Sequence, residues 1–144
     1  MSLVSDGVLA LDERVRPLLR DDLPMIDDRV TIEHLLGHTS GIGDYLDEEL
    51  LESSNDYVMP LPVHVFDRVD AYLPILDGRP QVSPPGERFT YNNGGYVVLA
   101  VLIERASGRR YADVVNERVI EPAGLGATGF VRSDELPPEA AIGY

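Results

Sequence analysis

The chain has 144 residues, of which 44% are apolar, and its 25 acidic and 12 basic side chains give a formal net charge of −13 at pH 7. This length and apolar fraction are typical of one globular domain, so we expect residues 1–144 to form a single domain. The acidic balance argues against nucleic-acid partners, because it repels a phosphate backbone. The chain has no cysteine, which excludes disulfides, thiolate nucleophiles and cysteine-bound metals.

The sequence indicates no membrane or targeting segment. Its longest apolar run, residues 96–103, is less than half of the roughly 20 residues that a membrane span requires. Asp6 and Gly7 interrupt the apolar opening, so we expect no signal peptide to begin at Met1. The sequence therefore predicts no membrane segment and assigns no compartment.

The first third of the chain predicts three short helical pieces. Residues 1–4, followed by Gly7, are typical of the last turn of a helix that stops at glycine. Apolar residues at helical spacing predict an amphipathic helix over residues 8–19. Thr31 is a favoured N-cap for a third helix, over residues 32–37.

The middle of the chain alternates between helical pattern and turn chemistry. Residues 47–58 are weakly helical, and residues 63–76 carry apolar side chains at helical spacing, which predicts a second amphipathic helix. The sequence Asp-Gly-Arg-Pro over residues 77–80 predicts a turn after it. Residues 83–88 form a loop rich in proline and glycine.

The last third contains the strongest helical signal. The segment from Asn93 to Ser107 is too long for one strand and ends before Gly108, so we predict a buried helix. Residues 111–120 predict another helix, and the remainder predicts loop with one short strand around Phe130. The fold class predicted from these patterns is mainly α.

Two histidines stand four residues apart, as in a helical zinc site. The residues between His34 and His38 are Leu-Leu-Gly, so the glutamate base of the H-E-x-x-H pattern is missing. Structural or capping roles are favoured over zinc. We expect neither a metal nor another cofactor.

The segment 37–41, Gly-His-Thr-Ser-Gly, has a superficial likeness to a nucleophile elbow. An elbow reads G-x-S-x-G and follows a strand, whereas Ser40 follows a predicted helix. A turn in which the hydroxyls of Thr39 and Ser40 satisfy backbone groups is the better interpretation. Ser40 as a nucleophile remains a minor alternative.

Tyr91 and Asn93 are the candidate site residues. They follow a Pro-Gly turn and open the long apolar helix, which can place a phenol and a carboxamide at the mouth of a cleft. A Tyr-x-Asn pair also has a purely structural interpretation. In that interpretation the tyrosine is buried with a bonded hydroxyl, and the asparagine caps the helix.

The surrounding motifs resemble those of one known family. Residues 30–45, VTIEHLLGHTSGIGDY, resemble the H-T-S-G segment of the serine β-lactamase and penicillin-binding protein family, in its class C and esterase branch. Pro85-Gly86, Tyr91-Asn92-Asn93 and residues 104–108 resemble that family's Pro-Gly, Tyr-x-Asn and following-helix pattern in register. Residues 121–125 resemble a later family segment, so the resemblance covers nearly the whole chain.

The resemblance implies a role for each candidate. In that family a serine attacks an acyl carbonyl, and a lysine one turn along the same helix helps to take its proton. Tyr91 would then be the general acid/base and Asn93 the positioning residue. A tyrosine titrates near 10 in water, so a neighbouring ammonium is needed before the phenol can serve as a base.

The chain departs from the family pattern at two motifs. It contains no lysine, so both Ser-x-x-Lys and Lys-Thr-Gly are missing. The resemblance implies that the first lies about ten residues before Met1 and the second beyond Tyr144. We therefore expect the helical portion of the α/β serine β-lactamase/DD-peptidase-like fold without most of its β-sheet, inactive by itself.

Two interpretations of function follow. In the first, the intact protein is a serine hydrolase of small-molecule amide or ester substrates, and the isolated segment self-associates through apolar surface that the sheet would cover. In the second, the chain is a stand-alone, non-catalytic helical binding module derived from that family.

Overall fold

A computed structural model describes residues 1–46, 58–59, 61–132 and 135–141. The predicted weak helix over residues 47–58 lies outside these ranges except for its last residue. Within them there is no β-strand, only an isolated antiparallel bridge between Arg14 and Thr31. The α-helices of the described ranges are α1 (Ser2–Ser5), α2 (Arg16–Leu19), α3 (Ile32–Leu36), α4 (Leu73–Leu76), α5 (Asn93–Ser107) and α6 (Tyr111–Val115). None of the helices in this part of the chain is long and apolar enough to cross a membrane.

The core forms around α5, against which α2, α3 and α6 pack. Val98, Val101 and Leu102 of α5 are at most 1% exposed and meet Leu19 and Leu35 from α2 and α3. Burying one such side chain contributes roughly 1.5–3 kcal/mol, so this helix anchors the others. The predicted bounds of α5 are confirmed, and Gly108 ends it in the left-handed conformation at φ 67°.

Local capping signals also place α1 and α3 correctly. Gly7 has φ 70°, and the Val8 N–H donates to the Leu3 carbonyl across it, which is a glycine stop at the end of α1. At α3 the Thr31 hydroxyl accepts the His34 N–H, while the His34 ring accepts the Thr31 N–H. Both predicted caps are therefore confirmed.

The predicted helix over residues 8–19 is wrong except in its last turn, α2. The Val15 N–H donates to the Val30 carbonyl, and the Ile32 N–H donates to the Glu13 carbonyl. Backbone groups of residues 13–15 therefore bond to residues 30–32 and are not available for helical hydrogen bonds. Pro17, which lacks an N–H, sits in the first turn of α2, where proline is tolerated.

The predicted helix over residues 63–76 is broken into three pieces. Two 3-10 turns, Val63–Val65 and Val69–Tyr72, precede α4. Pro74 lies in the first turn of α4 and cannot donate to an earlier carbonyl, so the helix starts afresh there.

The C-terminal predictions are correct for the helix and wrong for the strand. α6 continues into a wider π-helical turn, Asn116–Ile120, so residues 111–120 are helical as predicted. Phe130 lies in no strand. Its ring packs edge-on against Tyr111 at 5.7 Å, which holds this segment by a side-chain contact rather than by backbone pairing.

Candidate active site at the start of the central helix

The two candidate side chains meet at the N-terminus of α5. The Tyr91 hydroxyl donates to Asn93 Oδ1 at 3.3 Å, and the Tyr91 side chain is exposed. The structural alternative of a buried tyrosine is therefore wrong. It is also wrong about the cap, because Asn92 and not Asn93 caps α5. The phenol is consequently accessible to a molecule in solution.

The Asn93 amide retains an unused donor. Its Nδ2 is buried and has no hydrogen-bond partner among the described residues. A buried donor without an acceptor costs about 1–3 kcal/mol, so such groups are uncommon unless something else binds them.

Asn92 fixes the N-terminus of α5 because both the oxygen and the nitrogen of its side-chain amide form hydrogen bonds. Only 4% of this residue is exposed. Its Oδ1 accepts the Gly95 N–H at 2.6 Å, and its Nδ2 donates to the Ile42 carbonyl at 2.8 Å. The turn that carries the H-T-S-G motif is thereby joined to the first turn of α5.

Asp44 supplies a second cap, which sequence reasoning missed. Its carboxylate accepts the N–H of Asn93 at 2.6 Å and that of Gly94 at 2.9 Å. A carboxylate is also favoured here by the partial positive charge of a helix N-terminus. Because Asp44 lies 49 residues before Asn93, no local pattern indicated the contact.

His38 organises the aromatic side chains beside Tyr91. Its Nδ1 accepts the Asn92 N–H at 3.1 Å. Its ring lies 4.7 Å from that of Tyr91, 5.0 Å from that of Tyr96 and 5.7 Å from that of Phe89, measured between centroids. Both histidines thus bond backbone N–H groups, His34 at α3 and His38 at α5, as their structural interpretation predicted.

The remaining candidates lie apart from this site. Ser40 is only 2% exposed, which puts it out of reach of a substrate. The described ranges hold no cluster of three or more residues suited to a metal. A groove of about 690 Å³ runs between residues 64–72, α5 and α6, and neither Tyr91 nor Asn93 lines it.

Comparison with known proteins identifies the family of this chain. A family model described as Beta-lactamase matches residues 1–144, so the chain belongs to the β-lactamase family. Penicillin-binding protein 4* of Bacillus subtilis is 36% identical over 115 residues, which are 80% of this chain and 24% of that protein. Esterase EstB of Burkholderia gladioli is 34% identical over an alignment that covers 100% of this chain and 37% of the esterase.

A solved structure supports the same assignment. The penicillin binding protein from Bacillus halodurans superposes with a TM-score of 0.83 at 36% identity, over 99% of this chain and 41% of that one. The serine β-lactamase and penicillin-binding protein fold inferred from the motifs is therefore confirmed, and its helical character agrees with the described residues. The chain spans less than half the length of each of these relatives.

Proposed function

We propose that this chain is the helical part of a serine hydrolase domain. The hydrolase transfers the acyl group of a small amide or ester through an acyl-serine intermediate. Tyr91 is its general acid/base and Asn93 its positioning residue. The observation that carries the proposal is the exposed Tyr91 hydroxyl, bonded to an Asn93 whose Nδ2 has no partner in the described part of the chain. The names of the relatives, penicillin-binding protein and esterase, support amides and esters as the substrate class.

The chemistry divides between this chain and segments outside it. A phenol becomes an effective base only beside a cation that stabilises the phenolate. The chain contains no lysine, so we assign that cation and the nucleophile to a Ser-x-x-Lys segment beyond these residues. The unused Asn93 Nδ2 would then donate to that segment or to the substrate. The 144 residues alone would not turn over substrate.

A stand-alone helical binding module is the competing proposal. It is favoured by the packing of Tyr91 on His38, because that contact would stabilise the fold without any catalysis. The two proposals differ in what surrounds the coding segment. An in-frame Ser-x-x-Lys before it and Lys-Thr/Ser-Gly after it support the hydrolase, and their absence from the reading frame supports the module.

The kinetic test uses the product of the full reading frame with a chromogenic acetate ester and a chromogenic cephalosporin. Tyr91→Phe should lower kcat/KM by about a hundredfold or more, the usual contribution of a positioned acid/base. Tyr96→Phe is the matched control, since it removes a hydroxyl from the same aromatic cluster. Among the described residues that hydroxyl bonds only the Leu36 carbonyl. Equal activity of Tyr91→Phe and wild type would overturn the proposal.

A further inference from the structure

We propose that Asp44 is a positioning residue of this site, an inference that rests on the proposed function. Its carboxylate fixes the backbone from which the Asn93 side chain departs, and through Asn93 it sets the direction of the Tyr91 hydroxyl. The contact that carries the proposal is the 2.6 Å bond from the Asn93 N–H to Asp44 Oδ2.

The carboxylate is itself held firmly in place. Its Oδ1 accepts the Tyr45 N–H at 2.7 Å and the Gly94 N–H at 2.9 Å. Arg79 donates to the Asp44 main-chain carbonyl at 2.6 Å and to that of Ile75 at 2.7 Å. The bonds from Tyr45 and Arg79 come from outside α5, so they hold Asp44 independently of the helix end. It therefore acts as a fixed reference point.

The bonds of Asp44 join the segment that carries the H-T-S-G motif to the segment that carries Tyr-x-Asn. The His38 ring accepts the Asn92 N–H, and the Asp44 carboxylate accepts the next two N–H groups, of Asn93 and Gly94. Three consecutive N–H groups, those of residues 92–94, are thus bound by the side chains of His38 and Asp44. A charge-assisted bond is roughly twice as strong as a neutral one, which makes Asp44 the dominant member of this set.

A small displacement here matters for function. The Tyr91 hydroxyl and Asn93 Oδ1 are 3.3 Å apart, at the long end of a hydrogen bond. A movement of a few tenths of an ångström at the Asn93 backbone would break that bond. Acid/base chemistry depends on such distances, so the loss should appear in kcat more than in KM.

The test compares Asp44→Asn with wild type in the full-length protein. Amide hydrogen exchange at Asn93 and Gly94 should accelerate about tenfold or more, because a charged acceptor is lost. With the acetate ester, kcat should fall about tenfold while KM stays within about twofold. Asp77→Asn is the matched control, since Asp77 is exposed and its carboxylate accepts the Gly78 N–H of its own turn and no other N–H of the described residues.

Each outcome of this test either supports or overturns the positioning role of Asp44. Unchanged exchange at both amides, or faster exchange with wild-type kcat, overturns the proposal. Should Asp44→Asn not fold, Asp44→Glu, which keeps the charge but displaces it by one methylene, is judged by the same readouts. Should wild type hydrolyse neither the acetate ester nor the cephalosporin, the proposed function fails. Exchange at Asn93, together with loss of the Tyr91–His38 ring contact by NMR, still decides whether Asp44 positions the motif.

Discussion

Asn92 and Asn93 are adjacent asparagines whose side chains are in opposite situations. Asn92 uses both ends of its amide within the fold. Within the residues that the structure describes, Asn93 uses only its side-chain oxygen and leaves its buried Nδ2 donor unpaired. The same residue type thus stabilises the protein at one position and costs free energy at the next. A cost of this kind is common where a side chain is kept for function.

This contrast gives a matched pair of variants. Asn92→Ala should lower the free energy of unfolding by about 2 kcal/mol, because a helix cap is lost and the Ile42 carbonyl loses its donor. Asn93→Ala should cost less than about 1 kcal/mol, because it also removes the unpaired donor. Urea unfolding of both variants checks the prediction, and a larger loss for Asn93→Ala would contradict it.

Asp27 makes the stability of the protein depend on pH. The Arg29 side chain, and then its backbone N–H, hydrogen-bond the Asp27 carboxylate and lower its pKa to about 2. A carboxyl with a folded-state pKa below its unfolded value of about 3.9 stabilises the fold above that value. The contribution should disappear as the pH falls from about 4 to about 2.

Asp27→Asn should therefore be less stable than wild type at pH 7 and should become equal to it only below about pH 2. Thermal unfolding at several pH values measures the difference. Asp12→Asn, at an exposed aspartate, serves as the control and should follow the wild-type curve. A gap between Asp27→Asn and wild type that is the same at every pH would show that the ion pair does not contribute.

At the scale of elements, the Leu76 side chain of α4 closely approaches the first turn of α5 at Gly94. A Cβ atom at Gly94 would lie 2.8 Å from Leu76 Cδ2 and 3.2 Å from Asp44 Oδ1. The first distance is shorter than real Cβ contacts, so either Leu76 or the helix end would have to move. Gly94 is thus favoured by the close approach of the Leu76 side chain and not by an unusual backbone conformation.

Gly94→Ala should destabilise the protein by about 1–3 kcal/mol, although alanine is the better helix former. Gly126→Ala is the control, because nothing lies within 4 Å of the added carbon there and the backbone is not left-handed. It should stay within about 0.5 kcal/mol of wild type. Equal stability of the two variants in urea unfolding would show that the Leu76 side chain moves aside without measurable cost.

Another element, the loop after α2, is held largely by Arg16, while Arg105 of α5 also pairs with Asp22 in it. Arg16 donates to the main-chain carbonyls of Asp22, Leu23 and Ile26, at 3.0, 3.1 and 2.6 Å. The loop includes Arg20 and Leu23 in the left-handed region, at φ 57° and 51°. The guanidinium thus satisfies three carbonyls of a strained backbone while its Nε–H donates to Asp28, and these four bonds exceed the three donors of a lysine ammonium.

At the scale of the whole molecule, the described surface exposes several large apolar side chains. Those more than half exposed include Val119, Phe130, Val131 and Phe89. Their apolar area favours association of copies, and the net charge of −13 opposes it.

We therefore predict that the 144-residue chain self-associates, and more strongly as salt screens the charge. Light scattering at low and high sodium chloride and at several protein concentrations measures the average molar mass. This mass should rise with the salt concentration and with the protein concentration. Phe130→Ser should reduce the rise, with Val8→Ser as the control at a less exposed apolar residue. A monodisperse monomer under all conditions would contradict the prediction.

Local chemistry accounts for what the sequence predicted correctly. Thr31, Gly7 and Gly108 act within a few residues of the helix ends that they fix, so their effect is visible without knowledge of the chain path. The helix over residues 8–19 was mispredicted because its backbone pairs with residues 30–32, and spacing alone does not reveal such a partner.

The sequence alone determined the bounds of the central helix, the Tyr-x-Asn pair and the family to which the chain belongs. Only the tertiary structure decided that Asn92 is the cap, that Asn93 keeps an unpaired donor and that Asp44 holds the helix end. The physical reason is range: a cap or a glycine stop is a bond between near neighbours. The bonds from Asp44 and His38 join groups 49 and 54 residues apart, and they form only once the core has brought two segments together.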